Sequence, residues 1–188
     1  MNPQELFERH HANNAGFCRH YLTLYSIVLG LETKSAFEFG SGFSSKTILM
    51  ALEKTGGKLI TCDQRPLEQT AIFYDKNEIK NYSNWTYINK KSIDISKDIE
   101  GKIFDFVLHD GAHDVKTVKQ DLKLIMPKMK KNGILLLHDT EHPAYNLKEA
   151  IPEDKISKVT LPFGFGLTII KIEEDFGNGT IDIRWKKE

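Results

Sequence analysis

Short apolar runs alternate with longer amphipathic segments along most of this chain. The amphipathic segments predict helices over 44–57, from near Pro66, and over 114–129. Strands that alternate with helices of ten or more residues indicate βαβ units and a mostly parallel sheet. Some of the runs are almost continuously apolar, which is typical of strands that helices cover on both faces. The predicted strands are 35–40, 58–63, 84–89, 103–110, 133–139, 155–161 and 165–172.

Turn and capping residues mark the expected element ends. Ser44 or Ser45 is expected to cap the first long helix, which ends at the glycine pair 56–57. The segment 17–31 has rough helical spacing and predicts an added N-terminal helix. We expect one domain over 1–188, in which residues 1–33 form a helical cap. A further strand over 180–185 is expected to pair after the turn at 176–179.

Composition narrows the class of protein. A chain of 188 residues fits one domain, and its 26 basic and 26 acidic side chains cancel. This balance gives no electrostatic reason to expect nucleic acid or an anionic membrane as partner. The cysteines, Cys18 and Cys62, are far apart, which argues against a disulfide framework or structural zinc. The polar N-terminus and the lack of an apolar run near ~18–20 residues predict a cytoplasmic protein.

A glycine-containing loop follows the first predicted strand in the stretch "FEFGSGFSS". Gly40 and Gly42 allow a tight turn and a close approach of backbone to a ligand, and the next helix presents free N–H groups. Asp63 ends the second predicted strand, 21 positions after Gly42. An acid at this distance can hold a ribose diol, so the combination predicts an adenosine-containing ligand.

The loop favours S-adenosylmethionine over a nicotinamide dinucleotide. A dinucleotide fingerprint requires a third glycine at position 45, where this chain has Ser45. Glu38, two residues before the first glycine, would oppose a pyrophosphate but suits an amino group. S-adenosylmethionine carries an ammonium and a sulfonium, so charge complementarity favours it. An NAD-dependent oxidoreductase stays as an alternative.

The stretches "FEFGSGFSS", "LITCD" and "FDFVLHDGAHDVKTVKQDLKLIMPKMKKNGILLLHDT" together resemble class I S-adenosylmethionine-dependent methyltransferases. More narrowly, they are similar to the small metal-dependent sugar O-methyltransferases of the macrocin and mycinamicin type, which share a fold with cephalosporin hydroxylase-like proteins. The resemblance covers about residues 35–140. It departs at Asn132, where two successive glycines are usual, and at Ser44, where many relatives have a third glycine. It implies an α/β, Rossmann-like fold with a mostly parallel seven-stranded sheet and helices on both faces.

The resemblance also implies a cofactor site. A group of residues in the glycine loop would surround the methionine half of S-adenosylmethionine, Asp63 would hold the ribose, and Ser92 would approach the adenine. Asp110, at the end of the fourth predicted strand, would lie beside the cofactor. The loop group comprises Glu38, Gly40, Ser41, Gly42 and Ser44.

Two His-Asp-x-x-His stretches, 109–113 and 138–142, end the fourth and fifth predicted strands. Neighbouring strand ends would bring Asp110 and Asp139 to one cavity, where two carboxylates repel unless a cation or a proton lies between them. A hard divalent ion such as Mg²⁺ would resolve that conflict. The alternative is one cofactor-side acid and one solvent-facing acid. The resemblance supports the metal and implies ligands at Asp110, at Asp139 and at the position of His138.

Histidines near these acids are candidates for proton transfer. Imidazole suits removal of a hydroxyl proton near neutral pH, and the resembled enzymes place their proposed base at the position of His113. With Asp110 it forms the predicted catalytic pair. His109 is interpreted as a packed, hydrogen-bonded core residue, whereas His142 could face substrate or water.

Together these patterns predict an O-methyltransferase that moves a methyl group from S-adenosylmethionine to a hydroxyl of a sugar or another small polyol or phenol. Mg²⁺ or another divalent cation would assist. No nucleic acid or membrane partner is expected, and a homo-oligomer stays open. The alternatives are a hydroxylase-like or other enzyme on this fold and a non-catalytic module that binds an adenosine cofactor.

Overall fold

The computed structural model describes residues 3–12, 16–70 and 82–174. The helices are α1 (Pro3–Ala12), α2 (Tyr21–Gly30), α3 (Phe43–Thr55), α4 (Leu67–Thr70) and α5 (Val115–Ile125). The strands are β1 (Ser35–Phe39), β2 (Lys58–Asp63), β3 (Trp85–Asn89), β4 (Phe104–His109), β5 (Met129–His138), β6 (Ile156–Leu161) and β7 (Leu167–Ile172). Short 3₁₀ turns lie at Gly16–His20, Ser92–Asp94, Met126–Lys128 and Leu147–Ala150.

All seven strands form one mixed sheet in the order β3-β2-β1-β4-β5-β7-β6. Strands β1 to β5 pair in parallel, whereas β7 is antiparallel to both β5 and β6. The predicted mostly parallel sheet is therefore confirmed, and β7 is the strand that runs opposite to its neighbours. A parallel pair needs a crossover of a dozen or more residues, and residues 162–166 are too few for one. The strand predicted over 180–185 lies outside the described residues.

The apolar runs are explained by burial on both faces of the sheet. In β1, Phe37 and Phe39 pack into one core cluster and Ala36 into the other. The first cluster includes Val118 and Leu122 of α5. The second includes residues of α2 and α3, which pack against each other. Strands β1, β4 and β5 thus alternate between two helix-covered faces, as their sequences predict, whereas the edge strands β3 and β6 are half-buried or exposed.

Two predicted helix boundaries are corrected. Helix α3 has Gly42 as its N-cap in place of Ser44 or Ser45. The Ser44 hydroxyl donates to Glu38, whereas Ser45 Oγ donates to Glu38 and also accepts from Gly42 N at 3.3 Å; Gly56 ends the helix in a left-handed conformation. Helix α5 begins after the cap Asp114, whose carboxylate accepts a hydrogen bond from Thr117 N. It ends at Ile125, short of 129, because the chain tightens into a 3₁₀ turn around Pro127. No helix in the described ranges has both the length and the apolar character needed to cross a bilayer.

Candidate active site

A cavity of about 990 Å³ opens at the carboxyl edge of β1, β2, β4 and β5. This is the edge where open α/β sheets bind ligands, and the volume can hold a nucleoside-type ligand beside a second small molecule. Except for Glu38, every predicted site residue lines the cavity. Those residues are Gly40, Ser41, Gly42, Ser44, Asp63, Ser92, Asp110, His113, His138 and Asp139.

The glycine loop after β1 packs directly against the end of β4. Gly40 has a φ of +84°, and a Cβ there would lie 2.4 Å from the carbonyl oxygen of Asp110. This position therefore requires glycine because of the neighbouring backbone, whatever ligand is bound. A Cβ on Gly42 would meet nothing within 4 Å. Gly42 thus leaves the N-terminus of α3 open to the cavity, where its backbone N–H groups can face a ligand.

Glu38 lies beneath this loop and is fully buried. Its carboxylate accepts hydrogen bonds from Ser44 (2.6 Å), Ser45 (2.5 Å) and Thr61 (2.9 Å). Burial raises the pKa of Glu38 to about 8, even though these hydrogen bonds oppose the rise. The structure does not bring Glu38 to the cavity surface. It ties the first turn of α3 to β1 and β2 from below.

Asp63 ends β2 and is almost fully buried, with its carboxylate toward the glycine loop. One oxygen accepts from Ser41 N at 2.9 Å. The side chain of Arg65 forms an ion pair with the same oxygen at 2.6 Å and bonds the other through Nε at 3.0 Å. Ser92 lies across the cavity in the 3₁₀ turn after β3, next to the exposed Ile93.

The ends of β4 and β5 bring two acids and two histidines together. Asp110, His113 and Asp139 each offer one atom that could bind a metal ion, and these three atoms lie within 4.8 Å of one another. His113 Nε2 is 3.0 Å from Asp139 Oδ2. This pair raises the pKa of His113, and it keeps the pKa of Asp139 below its usual value although burial opposes that. The predicted meeting of Asp110 and Asp139 in one cavity is confirmed.

His138 is buried between the acids. Its Nδ1 is 3.0 Å from Asp110 Oδ1 and 3.2 Å from Asp139 Oδ1, and its Nε2 is 3.0 Å from the carbonyl oxygen of Gly164. Carboxylate and carbonyl oxygens accept hydrogen bonds, so each ring nitrogen of His138 faces an acceptor. Burial lowers the pKa of His138, but the hydrogen bond and charge of Asp110 outweigh this and raise it overall.

An aromatic stack lines the side of the cavity next to His113. The ring of Tyr145 lies between two imidazoles, 4.9 Å from His113 and 3.9 Å from His142, nearly parallel to both. Phe165 approaches the edge of His142 at 4.6 Å. His142, whose role the sequence left undecided, therefore lines the cavity as part of this stack.

Two further histidines, His109 and His20, do not line the cavity. His109 is buried and bonded to Asp121 at 3.0 Å, which confirms its interpretation as a core residue. His20, in the N-terminal segment, is buried against the ring of His138 at 5.5 Å and donates to the carbonyl oxygen of Phe163. Burial and the nearby His138 lower the pKa of His20.

Several lining residues were not predicted. Phe17 and Tyr21 reach the cavity from the N-terminal region, and Phe165 reaches it from the β6–β7 loop. These three side chains reach the cavity because of tertiary packing, which no local sequence pattern predicts. Arg65 and Ile93 could have been found, because each lies within two residues of a predicted site residue.

A methyltransferase-domain family model matches residues 37–140, which is more than half of the chain. No curated protein sequence matches this chain significantly. Solved structures do match. The SAH-bound methyltransferase PaMTH1 of Podospora anserina has a TM-score of 0.68 at 18% identity, over 82% of this chain and 78% of that one. The O-methyltransferase TomG of Streptomyces achromogenes, in complex with SAM, has a TM-score of 0.67 at 13% identity, over 91% and 89%.

An O-methyltransferase of Bacillus cereus in complex with SAH is similar, with a TM-score of 0.68 at 14% identity over 90% of this chain and 88% of that one. At these identities the likeness concerns the fold, which is that of Rossmann-like methyltransferases. The matched family segment runs from β1 to the residue after Asp139, so it contains the glycine loop, Asp63, Asp110 and Asp139. The chain therefore belongs to the methyltransferase-domain family.

Proposed function

We propose that this protein is an S-adenosylmethionine-dependent O-methyltransferase that acts on a hydroxyl of a small molecule. Family membership supports methyl transfer, and similar folds with bound SAM or SAH support the donor. The observation that carries the proposal is the His113–Asp139 pair, which shares one cavity with the glycine loop and Asp63.

The cofactor half of the cavity would be formed by the loop after β1, by Asp63 and by Ser92. Gly42 exposes the start of α3, and Asp63 is the one acid at the end of β2. When bound, S-adenosylmethionine supplies an electrophilic methyl group on a sulfonium. Glu38 would act on it indirectly, because its hydrogen bonds to Ser44 and Ser45 hold the loop that would contact the methionine part.

His113 would remove the proton from the acceptor hydroxyl. The hydrogen bond from Nε2–H to Asp139 leaves Nδ1 as the acceptor for that proton. Asp139 orients the ring, and its charge stabilises the imidazolium that forms. The stack on Tyr145 limits rotation of the imidazole plane. Holding the base and the acceptor in fixed geometry lowers the entropic part of the barrier.

The residues at the two strand ends fit a divalent cation. Asp110 and Asp139 offer carboxylate oxygens, and His138 could offer Nδ1 if that atom gave up its proton, while Nε2–H stayed on Gly164. A ligand histidine commonly donates its second nitrogen to a carbonyl in this way. A bound ion would lower the pKa of the acceptor hydroxyl. We therefore retain Asp110, Asp139 and His138 as proposed ligands and keep His113 as the base.

The N-terminal region would close the cavity. Phe17 and Tyr21 are buried and line it, which supports residues 1–33 as a cap on a single catalytic domain. The aromatic groups around His113 suit an acceptor that presents a flat face, either a sugar ring or a phenol.

Calorimetric titration tests donor and metal separately. We expect S-adenosylmethionine to bind with 1:1 stoichiometry and NAD not to bind. Binding of NAD alone would refute the proposal. For the metal, we expect a Mg²⁺ or Mn²⁺ titration to show binding that Asp139→Asn abolishes and His113→Ala retains. Loss of metal binding in His113→Ala would make His113 a ligand and exclude it as the base.

A further inference from the structure

The carboxylate of Asp63 has no free acceptor position in this structure. Ser41 N and the Arg65 guanidinium donate to Oδ2, and Arg65 N (2.8 Å) and Nε (3.0 Å) donate to Oδ1. A carboxylate has about four lone-pair sites, so these four donors saturate it. A ribose diol that binds here must donate two hydroxyls, and it would find every site taken.

Two of the four donors can leave without disturbing packed atoms. The Arg65 side chain is 49% exposed, whereas the Asp63 side chain is 4% exposed. The backbone of Arg65 is held separately, because Tyr87 Oη donates to its carbonyl oxygen at 2.8 Å. If only the guanidinium swings out, Ser41 N and Arg65 N still hold the carboxylate. The two positions that become free equal the two hydroxyls of a ribose.

We propose that Arg65 is a gate on the cofactor site, which competes with the ribose diol for Asp63 and leaves that carboxylate when the cofactor binds. This inference rests on the proposed use of an adenosine cofactor and adds a residue that sets its affinity. The guanidinium also donates to the carbonyl oxygen of Ser41 at 3.0 Å, so the closed gate links the ribose position to the glycine loop. Opening therefore frees the Ser41 carbonyl oxygen together with two positions on Asp63, while Ser41 N keeps its hydrogen bond to Asp63.

If Arg65 competes with the ribose for Asp63, removing the Arg65 side chain should tighten binding of the cofactor, even though a hydrogen-bonding cation is lost from the cavity. Exposed ion pairs contribute up to about 1 kcal/mol, which corresponds to about fivefold in affinity. We expect Arg65→Ala to bind S-adenosylhomocysteine up to about fivefold more tightly than wild type, and Arg65→Lys to lie between them. Salt screens the competing pair, so the difference should shrink from about 0.05 M to about 0.5 M NaCl.

The experiment is calorimetric titration of the full chain with S-adenosylhomocysteine. Lys91→Ala is the matched control, because Lys91 is an exposed cation that lines the same cavity. We expect its affinity not to increase. Thermal unfolding checks that each variant is folded, and Arg65→Gln replaces Arg65→Ala if that variant is not. Asp63→Asn should weaken binding in either background.

The outcomes distinguish a wrong cofactor from a wrong role for Arg65. If wild type does not bind S-adenosylhomocysteine, the proposed cofactor is wrong. If wild type binds and the Arg65 variants bind equally or more weakly, the cofactor stands and the gate is refuted, since Arg65 would then hold the ligand or Asp63 in place. An equal gain in Lys91→Ala would also overturn the gate, because loss of positive charge alone would explain it.

Discussion

Replacement of Glu38 by glutamine should change how the stability of the protein depends on pH. The pKa of Glu38 is about 8 in the folded protein and 4.5 without burial. Between these values the folded protein keeps a proton that the unfolded chain has released. The stability that neutral Glu38 contributes is therefore complete below pH 4.5 and is lost as pH rises toward 8, at about 1.4 kcal/mol per pH unit.

Glutamine has nearly the same shape and no proton to lose in this range. From about pH 5 to about pH 8, the unfolding free energy of wild type should fall by about 4 kcal/mol relative to that of Glu38→Gln. Urea unfolding of both proteins at four pH values measures this difference, and all other titrating groups cancel in it. Parallel pH profiles for the two proteins would refute the reasoning and indicate that Glu38 is ionised in the folded state.

Further variants test the acceptor side of the cavity. Asp139→Asn should lower kcat by about 10²-fold and leave the Kd for S-adenosylhomocysteine unchanged, because His113 loses the partner that orients it. Its acid limb in the pH profile of kcat/KM should move to lower pH, since Asp139 raises the pKa of His113; an unmoved limb would contradict the assignment. Phe165 has a φ of +65°, so Phe165→Gly should be about 1 kcal/mol more stable than Phe165→Ala, which keeps the backbone strain. Equal urea midpoints and m-values for these two variants would count against strain at Phe165.

The sequence predicted the strands and their ends well, because each buried strand is an apolar run that stops at a polar residue. Asp63 ends β2, Asp110 follows β4 and Asp139 follows β5, so all three reach the cavity. The antiparallel β6–β7 pair could also have been foreseen. Only five residues, 162–166, join these strands, and that length permits a hairpin but no crossover.

Other features depend on packing that the sequence does not reveal. His138 has an acceptor at both ring nitrogens because the β6–β7 loop brings the carbonyl of Gly164, 26 residues away along the chain, to Nε2. Gly40 was interpreted as room for a ligand, yet the nearest obstacle to a Cβ is the backbone of Asp110. In both cases the contacting residue is distant in sequence, so composition and motif spacing could not predict the contact.

Methyl transfer from labelled S-adenosylmethionine, measured for wild type and for His113→Ala, tests the proposed reaction and its base. Hydroxyl acceptors of sugar and phenol type would be offered, and binding of S-adenosylhomocysteine would be measured in parallel. We expect wild type to release S-adenosylhomocysteine and an O-methylated product, and the variant to bind S-adenosylhomocysteine normally while its kcat falls by about 10²-fold or more. Unchanged turnover in His113→Ala would exclude His113 as the base.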